Sequence, residues 1–509
     1  MWKNIGSNWT LNAVQILVFM VLTRYVVDAL YAADEDLFGV WEAILAAGGP
    51  LQLLILGVPM ATVRAVSASL ARSEPEEANR ALGTSVTLTL LMGVVTLFVG
   101  FGVFASFDAA LLTSERWELN AGAIEDARTA FWIFVGTLAA GFFLRLPYAL
   151  YDAHHDFVAR NLIMGTGMLL RLGLTVLLLS WNASLTTLAA VQTLVGVVEF
   201  GIAMGVSSKR HPDVRFRPGR LERSRVMDLL SFSVFALLLN MGAMLAFRID
   251  ALVVGSHLDA ESVAIYGIGN KIFDPFINLL LAIGMVVMPM ASSLAARNET
   301  AQVRDILLKW SKVATCVVFL MGTYLFVLGP EFLSWWIGEN YDPLSGTVQV
   351  ILMGSFFIFL PVRGVALPIL MGLGRPRKPA FGLLGMGLAN LALSLVLVRE
   401  HGVLGVALGT AIPNVLFAVW FAGAACRETG VGIGEFLGYA VARPLLGLLP
   451  ALGLLVAAKV WLEPSGFIAL FSIGLVFTAV YGVGLVLLVW NGDRYLDVPR
   501  LLRTKLGRS

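Results

Sequence analysis

Apolar runs of about 20 residues, parted by short polar stretches, recur along the whole chain, and each can cross a hydrocarbon core of about 30 Å as a helix. About fourteen such helices are predicted, starting near residues 9, 37, 83, 129, 158, 184, 229, 262, 312, 346, 380, 403, 440 and 466. Strands that span a membrane alternate apolar and polar positions over roughly ten residues. These runs do not. The pattern therefore predicts an all-α integral membrane protein.

The polar positions inside the runs locate the candidate chemistry. Arg24 and Asp28 fall in one run, and Arg248 and Asp250 in another. An ionised side chain at the centre of a membrane helix costs about 2.5–3.5 kcal/mol on insertion scales, so it usually faces a partner or a water-filled cavity. These charges stand at matching places in halves that read alike. The first half runs through Thr23 and Arg24, an acidic loop, Phe38, Gly39 and Val40, then Gly57, Val58, Pro59, Met60 and Ala61. The second runs through Phe247 and Arg248, an acidic loop near Asp259, Tyr266, Gly267 and Ile268, then Val287, Met288, Pro289, Met290 and Ala291. Pro59 and Pro289 are expected to end the second and eighth helices. An even number of helices per repeat gives both repeats one orientation, related by an axis along the membrane normal. Paired intramembrane charges in a repeat point to a transporter.

Composition removes the main alternative. The chain is 58% hydrophobic and 14% charged, with a mean hydropathy of +0.82. A soluble globular domain carries about 25% charged residues. The net charge of +2 conceals an asymmetry between the two sets of loops. One set is basic: Arg64, Arg72 and Arg80; Arg145 and Arg160; Lys209, Arg210, Arg215, Arg217, Arg220, Arg223 and Arg225; Arg297, Arg304, Lys309 and Lys312; Arg375, Arg377 and Lys378; Arg427 and Arg443; and a tail with Arg494, Arg500, Arg503, Lys505 and Arg508. The other is acidic, with Asp34, Glu35 and Asp36, Glu115 and Glu118, Asp259 and Glu261, and Glu339 and Asp342. By the positive-inside rule both termini are expected to be cytoplasmic, in a multi-pass protein of the cell membrane. The first helix is expected to be retained, because no small-residue cleavage site follows it.

The charge pattern also suggests the domain organisation. Residues 1–206 form a six-helix lobe, 207–228 a basic cytoplasmic linker, 229–426 a second six-helix lobe, and 427–509 two extra helices with a basic tail. The linker reads as a topological anchor; its rival reading is a patch for nucleic acid or anionic lipid. Nucleic acid is not an expected partner. The chain has two cysteines, Cys316 and Cys426, and no Cys/His ligand spacing, phosphate loop or nucleophile elbow. No cofactor, metal or enzymatic activity is expected.

Across nearly its whole length the chain resembles the multidrug/oligosaccharidyl-lipid/polysaccharide exporter superfamily, and within it the polysaccharide (Wzx-type O-antigen) flippases. The resemblance is carried by Thr23 and Arg24 followed by Phe38 to Val40, by Gly57 to Ala61 with Arg64, and by Arg248, Ile249 and Asp250 leading to Gly255. Val263 to Tyr266 and Pro289 to Leu294 complete it. It implies two pseudo-symmetric six-helix lobes around a central cavity, two extra C-terminal helices and alternating access. The implied substrate is an oligosaccharide on a polyprenyl phosphate or pyrophosphate, moved from the cytoplasmic to the outer leaflet of the bilayer.

Arg24, Arg248, Lys271, Arg363 and Arg171 are the candidate substrate-binding residues, since the planar guanidinium suits a phosphate. Asp28, Asp274, Glu199 and Asp250 are candidates for coupling to a proton or sodium gradient. Arg24 and Asp28 share a helix face at i,i+4 and can pair locally; for Arg24 and Arg248, snorkelling to the interface competes with lining a cavity. Arg171 has Glu199 as its nearest expected partner, as a structural pair or as a site. Gly267, Gly269, Asn270 and Pro275 are expected to interrupt the helix around Lys271 and Asp274, and Pro361 and Pro368 to do so around Arg363. A lipid II (peptidoglycan precursor) flippase and a cation-coupled multidrug antiporter remain as alternatives.

Overall fold

Polar residues at the ends of the apolar runs start the helices. Asn120 accepts from the Ala123 amide at 2.8 Å, Asp156 from Ala159 at 3.4 Å, Ser184 from Thr187 at 3.1 Å and Asp342 from Leu344 at 2.6 Å. Each carboxylate, amide or hydroxyl satisfies a backbone donor that the first turn of a helix leaves unpaired. The computed structural model describes residues 2–55, 57–221, 223, 233–297 and 299–497. Arg225, the expected helix start near residue 229, and Arg500, Arg503, Lys505 and Arg508 lie outside the described residues.

The described residues are helical throughout, with no strand among them. By contacts they divide into two compact units, one of residues 1–244 with 248–264 and one of 245–247 with 265–509. The first unit holds α1 (Trp2–Ala33), α2 (Leu37–Gln52), α3 (Val58–Ala71), α4 (Pro75–Phe107), α5 (Ala121–Leu144), α6 (Leu146–Ala153), α7 (Phe157–Leu179), α8 (Leu185–Arg210), most of α9 (Ser233–Phe247) and α10 (Asp250–His257). Within it α5 packs on α8 and α4, and α1 on α7. Its core includes Leu30, Phe38, Ile44, Phe131, Val135, Leu146 and Leu150, all fully buried. The loop after α4 docks on α10: the Trp117 indole N–H donates to Gly255 O at 2.8 Å, and Arg116 donates to Ser256 O at 2.5 Å.

The second unit holds α12 (Phe273–Ala296), α13 (Thr300–Ile337), α14 (Pro343–Pro361), α15 (Leu367–Gly372), α16 (Arg377–Thr429), α17 (Ile433–Phe436), α18 (Arg443–Leu462) and α19 (Gly466–Gly484), and most of α11 (Ala260–Lys271). The two last long helices, α18 and α19, pack against α13 through Leu448, Leu455, Leu470, Phe477 and Tyr481, facing Phe319 and Leu328. Large apolar side chains such as Phe98, Trp461 and Ile468 are three-quarters exposed or more. So many large apolar side chains exposed on the helices suit contact with lipid and not with water.

Twelve helices among the described residues are long and apolar enough to cross a membrane, and thirteen if the bent pair Leu237–Phe247 and Asp250–His257 is one span. The difference from the expected fourteen lies in α16, where the segments starting near 380 and 403 join. Gly402, at φ 55° and ψ −135°, interrupts α16, a backbone conformation that residues with a Cβ avoid. The chain folds back there. Asn390 donates to Thr410 Oγ1 at 3.0 Å, and a Cβ on Gly382 would meet Trp420 at 2.6 Å, so the two arms of α16 lie antiparallel.

The prolines depart from expectation. Pro59 lies in the first turn of α3, just after Gly57 at φ 72°, and Pro289 lies inside α12. Neither ends a helix: α3 runs on to Ala71 and α12 to Ala296. A first-turn proline loses no intrahelical hydrogen bond, and membrane helices tolerate an interior one where neighbours supply partners.

Candidate functional site

In the first unit Arg24 and Asp28 pair as expected, Nε to Oδ2 at 3.7 Å, with both side chains 46% exposed. The neighbouring Tyr25 hydroxyl donates to Val176 O at 2.9 Å, which fixes α1 on α7 within about two turns of Arg171. Glu199 on α8 feels Arg171 electrostatically, but no ion pair joins them among the described residues. Glu199 Oε2 instead accepts from the Tyr148 hydroxyl at 2.8 Å. Arg171 Nε is buried without a hydrogen-bond partner among the described residues. A Cβ on Gly167 would collide with the Glu199 carboxylate, so a glycine in α7 makes room for it. Tyr148 was not legible as part of this group; its only sequence signal is a tyrosine beside Arg145 and Pro147 in an apolar stretch.

Arg248 is exposed and Asp250 is buried. Asp250 begins α10, at the bend of 43° between the paired segments. A carboxylate in a first helical turn meets the positive end of the helix dipole, which offsets part of its burial cost. Arg248 and Asp250 are thus two residues apart in sequence but differ sharply in exposure.

The second unit holds Lys271, Asp274 and Arg363, linked through a cluster of aromatic rings. The helix assignment pauses only at Ile272, whose backbone stays helical (φ −68°, ψ −15°), between Lys271 and Phe273, with Asp274 in the next turn. Gly267, Gly269 and Asn270 are helical, and Ala260–Ala296 forms one span and not the expected broken one. Phe273 packs edge-on against Phe356 at 4.7 Å. Phe356 and Phe359 both pack against Phe247, at 6.2 and 5.7 Å. Arg363 stands on this cluster, its guanidinium carbon 4.9 Å from the Phe247 ring and 5.8 Å from the Phe359 ring. It lies in a π-helical turn, Val362–Ala366, directly after Pro361. The wider turn follows from the proline, which removes a donor from the helical ladder and lets the next residues repack.

Arg363 has no carboxylate within ion-pair distance among the described residues, and its Nη1 is buried without a hydrogen-bond partner among them. Two aromatic faces offset part of its desolvation, about 2 kcal/mol for a desolvated contact. They leave the positive charge and at least one strong donor unmet. Such a group is complementary to an oxyanion. Among the described residues no group of three or more His, Cys, Asp or Glu side chains could hold a metal ion.

Lys312, counted among the cytoplasmic basic loop residues, proves to be fully buried. Its ammonium donates to Asp493 Oδ2 at 2.5 Å and to Val489 O at 2.7 Å, and lies 4.5 Å from the Tyr439 ring and 4.4 Å from the Trp490 ring. The Tyr439 hydroxyl also donates to Asp493, at 2.8 Å. Burial pushes the Asp493 carboxyl up, but hydrogen bonds from Lys312, the Tyr495 amide and Tyr439 outweigh it and hold it below its usual range. This cluster ties the end of the chain to α13 and is structural.

A family model described as "Polysaccharide biosynthesis protein" matches residues 125–345. No curated protein matches the chain. Among solved structures the chain is similar to a lipid II flippase, MurJ, in an inward closed conformation, at 13% identity and a TM-score of 0.71 over 100% of both chains. It is similar to a multidrug resistance MATE family transporter of the MOP superfamily in an inward-facing conformation, at 16% identity and a TM-score of 0.62, over 82% of this chain and 98% of that one. A third structure is a MOP superfamily transporter from Pyrococcus furiosus whose binding pocket is described as having reverse polarity, at 15% identity and a TM-score of 0.64, over 84% and 96% of the two chains. The chain therefore has the multi-pass helical fold of the MOP-superfamily transporters.

Proposed function

We propose that this protein is a transporter, not an enzyme, that moves a glycan linked to a polyprenyl phosphate or pyrophosphate from the cytoplasmic to the outer leaflet by alternating access. The observation that carries the reading is Arg363, a guanidinium in a membrane-spanning segment that has two aromatic faces and no anion among the described residues. Moving a phosphate-linked sugar head through hydrocarbon is prohibitive without matched polar groups, and a guanidinium supplies permanent, directional donors for a phosphate. Arg24, Arg248, Lys271 and Arg171 are the further cations of the path in this reading. Glu199, Asp250, Asp28 and Asp274 are the carboxylates that couple transport to a proton or sodium gradient.

Two cargoes fit this chemistry. The family model supports a surface oligosaccharide. The similarity to a lipid II flippase extends over the whole chain and makes the peptidoglycan precursor the better-supported cargo. A cation-coupled multidrug antiporter is the weaker alternative, because that similarity covers 82% of the chain and an unneutralised Arg363 repels a cationic drug. The test is translocation in proteoliposomes offered lipid II, a polyprenyl-pyrophosphate oligosaccharide and a cationic dye in turn. Arg363→Ala is expected to lower glycolipid translocation by about 30-fold, the equivalent of about 2 kcal/mol from one charged hydrogen-bonded contact. Arg363→Lys recovers part of that, since it restores charge without the planar fork. Undiminished glycolipid movement by Arg363→Ala and by the Arg24→Ala/Arg248→Ala variant would sink the phosphate reading. Dye exchange alone would establish the antiporter.

A further inference from the structure

A groove runs along the membrane-spanning hairpin of α16, separate from the buried charges. Gly385, Ala389 and Ala392 line it at helical spacing on the first arm, Trp420 closes over Gly382 at one end, and Phe381 and Leu416 are among its walls. Its volume is about 980 Å³. A Cβ on Gly385 would meet nothing within 4 Å, and Phe381, Val396 and Leu416 are 60%, 62% and 65% exposed. From Phe381 to Val396 the groove extends about 22 Å along the helix axis at 1.5 Å per residue, more than half of a hydrocarbon core of about 30 Å. The lining is almost wholly apolar until its end, where Arg377 and Lys378 close it.

That end is strongly cationic. Arg375 and Lys378 share one carboxylate, Glu428, with which both pair. Arg377 is exposed at the first position of α16, where the helix dipole adds positive potential. An apolar trough of acyl-chain length with cations at its headgroup end is complementary to one molecular class. We propose that the α16 hairpin binds a single anionic phospholipid, with one acyl chain in the groove and its phosphate at Arg375, Arg377 and Lys378. The cations select the charge of the headgroup, and the lining of small residues holds the chain.

The test is native mass spectrometry of the purified full-length protein offered phosphatidylglycerol and phosphatidylcholine in equal amounts. One phosphatidylglycerol is expected to be retained with a preference of about tenfold or more. Gly385→Trp, which fills the groove, is expected to abolish retention with an unchanged thermal midpoint. Ala389→Leu serves the same purpose if that variant does not fold. Arg375→Gln/Arg377→Gln is expected to retain lipid but lose the preference. Equal retention of both lipids by the unaltered protein, or full retention by both groove-filling variants, overturns the proposal. So does preferential capture of polyprenyl phosphate when it is offered alongside phosphatidylglycerol, which would assign the groove to the carrier lipid.

Discussion

Asp36 illustrates how a charge reveals its surroundings by its titration. It sits in the turn between α1 and α2, partly buried, and burial followed by repulsion from Asp34, Glu35, Asp259 and Glu261 pushes its carboxyl from 3.8 up to about 6. A carboxyl raised on folding binds its proton more tightly in the folded state, so its contribution to stability is complete below about 4 and is lost as pH rises through about 6. Asp36→Asn should therefore raise the thermal midpoint at pH 7, by the equivalent of about 1 kcal/mol after allowance for solvent screening. It should have little effect at pH 4; an equal shift at both pH values would exclude titration of Asp36 as the cause. The acidity of this turn was legible in the sequence, because the charges are local. So was the Arg24–Asp28 contact, which i,i+4 spacing dictates. The Tyr148–Glu199 bond was not, because its partners are 51 positions apart and nothing in either neighbourhood names the other.

Lys312 marks the corresponding limit for whole helices. It lies early in α13, in a run of basic residues that reads as a cytoplasmic loop, yet it is buried by a carboxylate 181 positions away. The same end of α13 carries two more ties: Arg304 pairs with Glu435, which also pairs with Arg494 at 2.9 Å, and the Tyr495 hydroxyl donates to Asp305 at 2.5 Å. Together they clamp α17 and the chain end onto α13. Removing one member of a buried pair strands the other, at a cost of about 3–5 kcal/mol. Lys312→Met should thus lower the thermal midpoint of the solubilised protein sharply, and Lys312→Met/Asp493→Leu should recover a substantial part of the loss. Equal losses in the single and double variants would mean that the ammonium contributes packing and no charge pairing. Helix starts were legible only from the apolar runs, and the structure adds local caps at Asn120, Asp156, Ser184 and Asp342, whose partners lie two or three residues on. The two repeat prolines misled because one residue type serves two local structures, a first turn at Pro59 and an interior position at Pro289.

The membrane topology turns on Gly402. If the arms of α16 cross the bilayer separately, both termini share a side, and the basic loops all face the cytoplasm as the positive-inside rule requires. If α16 crosses once, everything after Thr429 is inverted. The contacts between the arms favour the first arrangement: Asn390 reaches Thr410 and Ser394 reaches Val406 O at 3.5 Å. At 53 residues, α16 as a single rod would measure about 80 Å, far beyond a core of about 30 Å. Single cysteines can decide this, since native Cys316 and Cys426 are both buried and should react slowly. Glu76, Glu115, Ser465 and Asn491 are exposed and lie outside the core of any span. With a membrane-impermeant maleimide, Glu115→Cys and Ser465→Cys should label in intact cells. Glu76→Cys and Asn491→Cys should label only in inside-out vesicles. Labelling of Asn491→Cys and not Ser465→Cys in intact cells would show a single crossing by α16 and place the chain end outside. The cations at Arg375, Arg377 and Lys378 precede the turn, so the outcome leaves their side unchanged, and the bond from Lys312 at the start of α13 to Asp493 after α19 likewise favours the first arrangement.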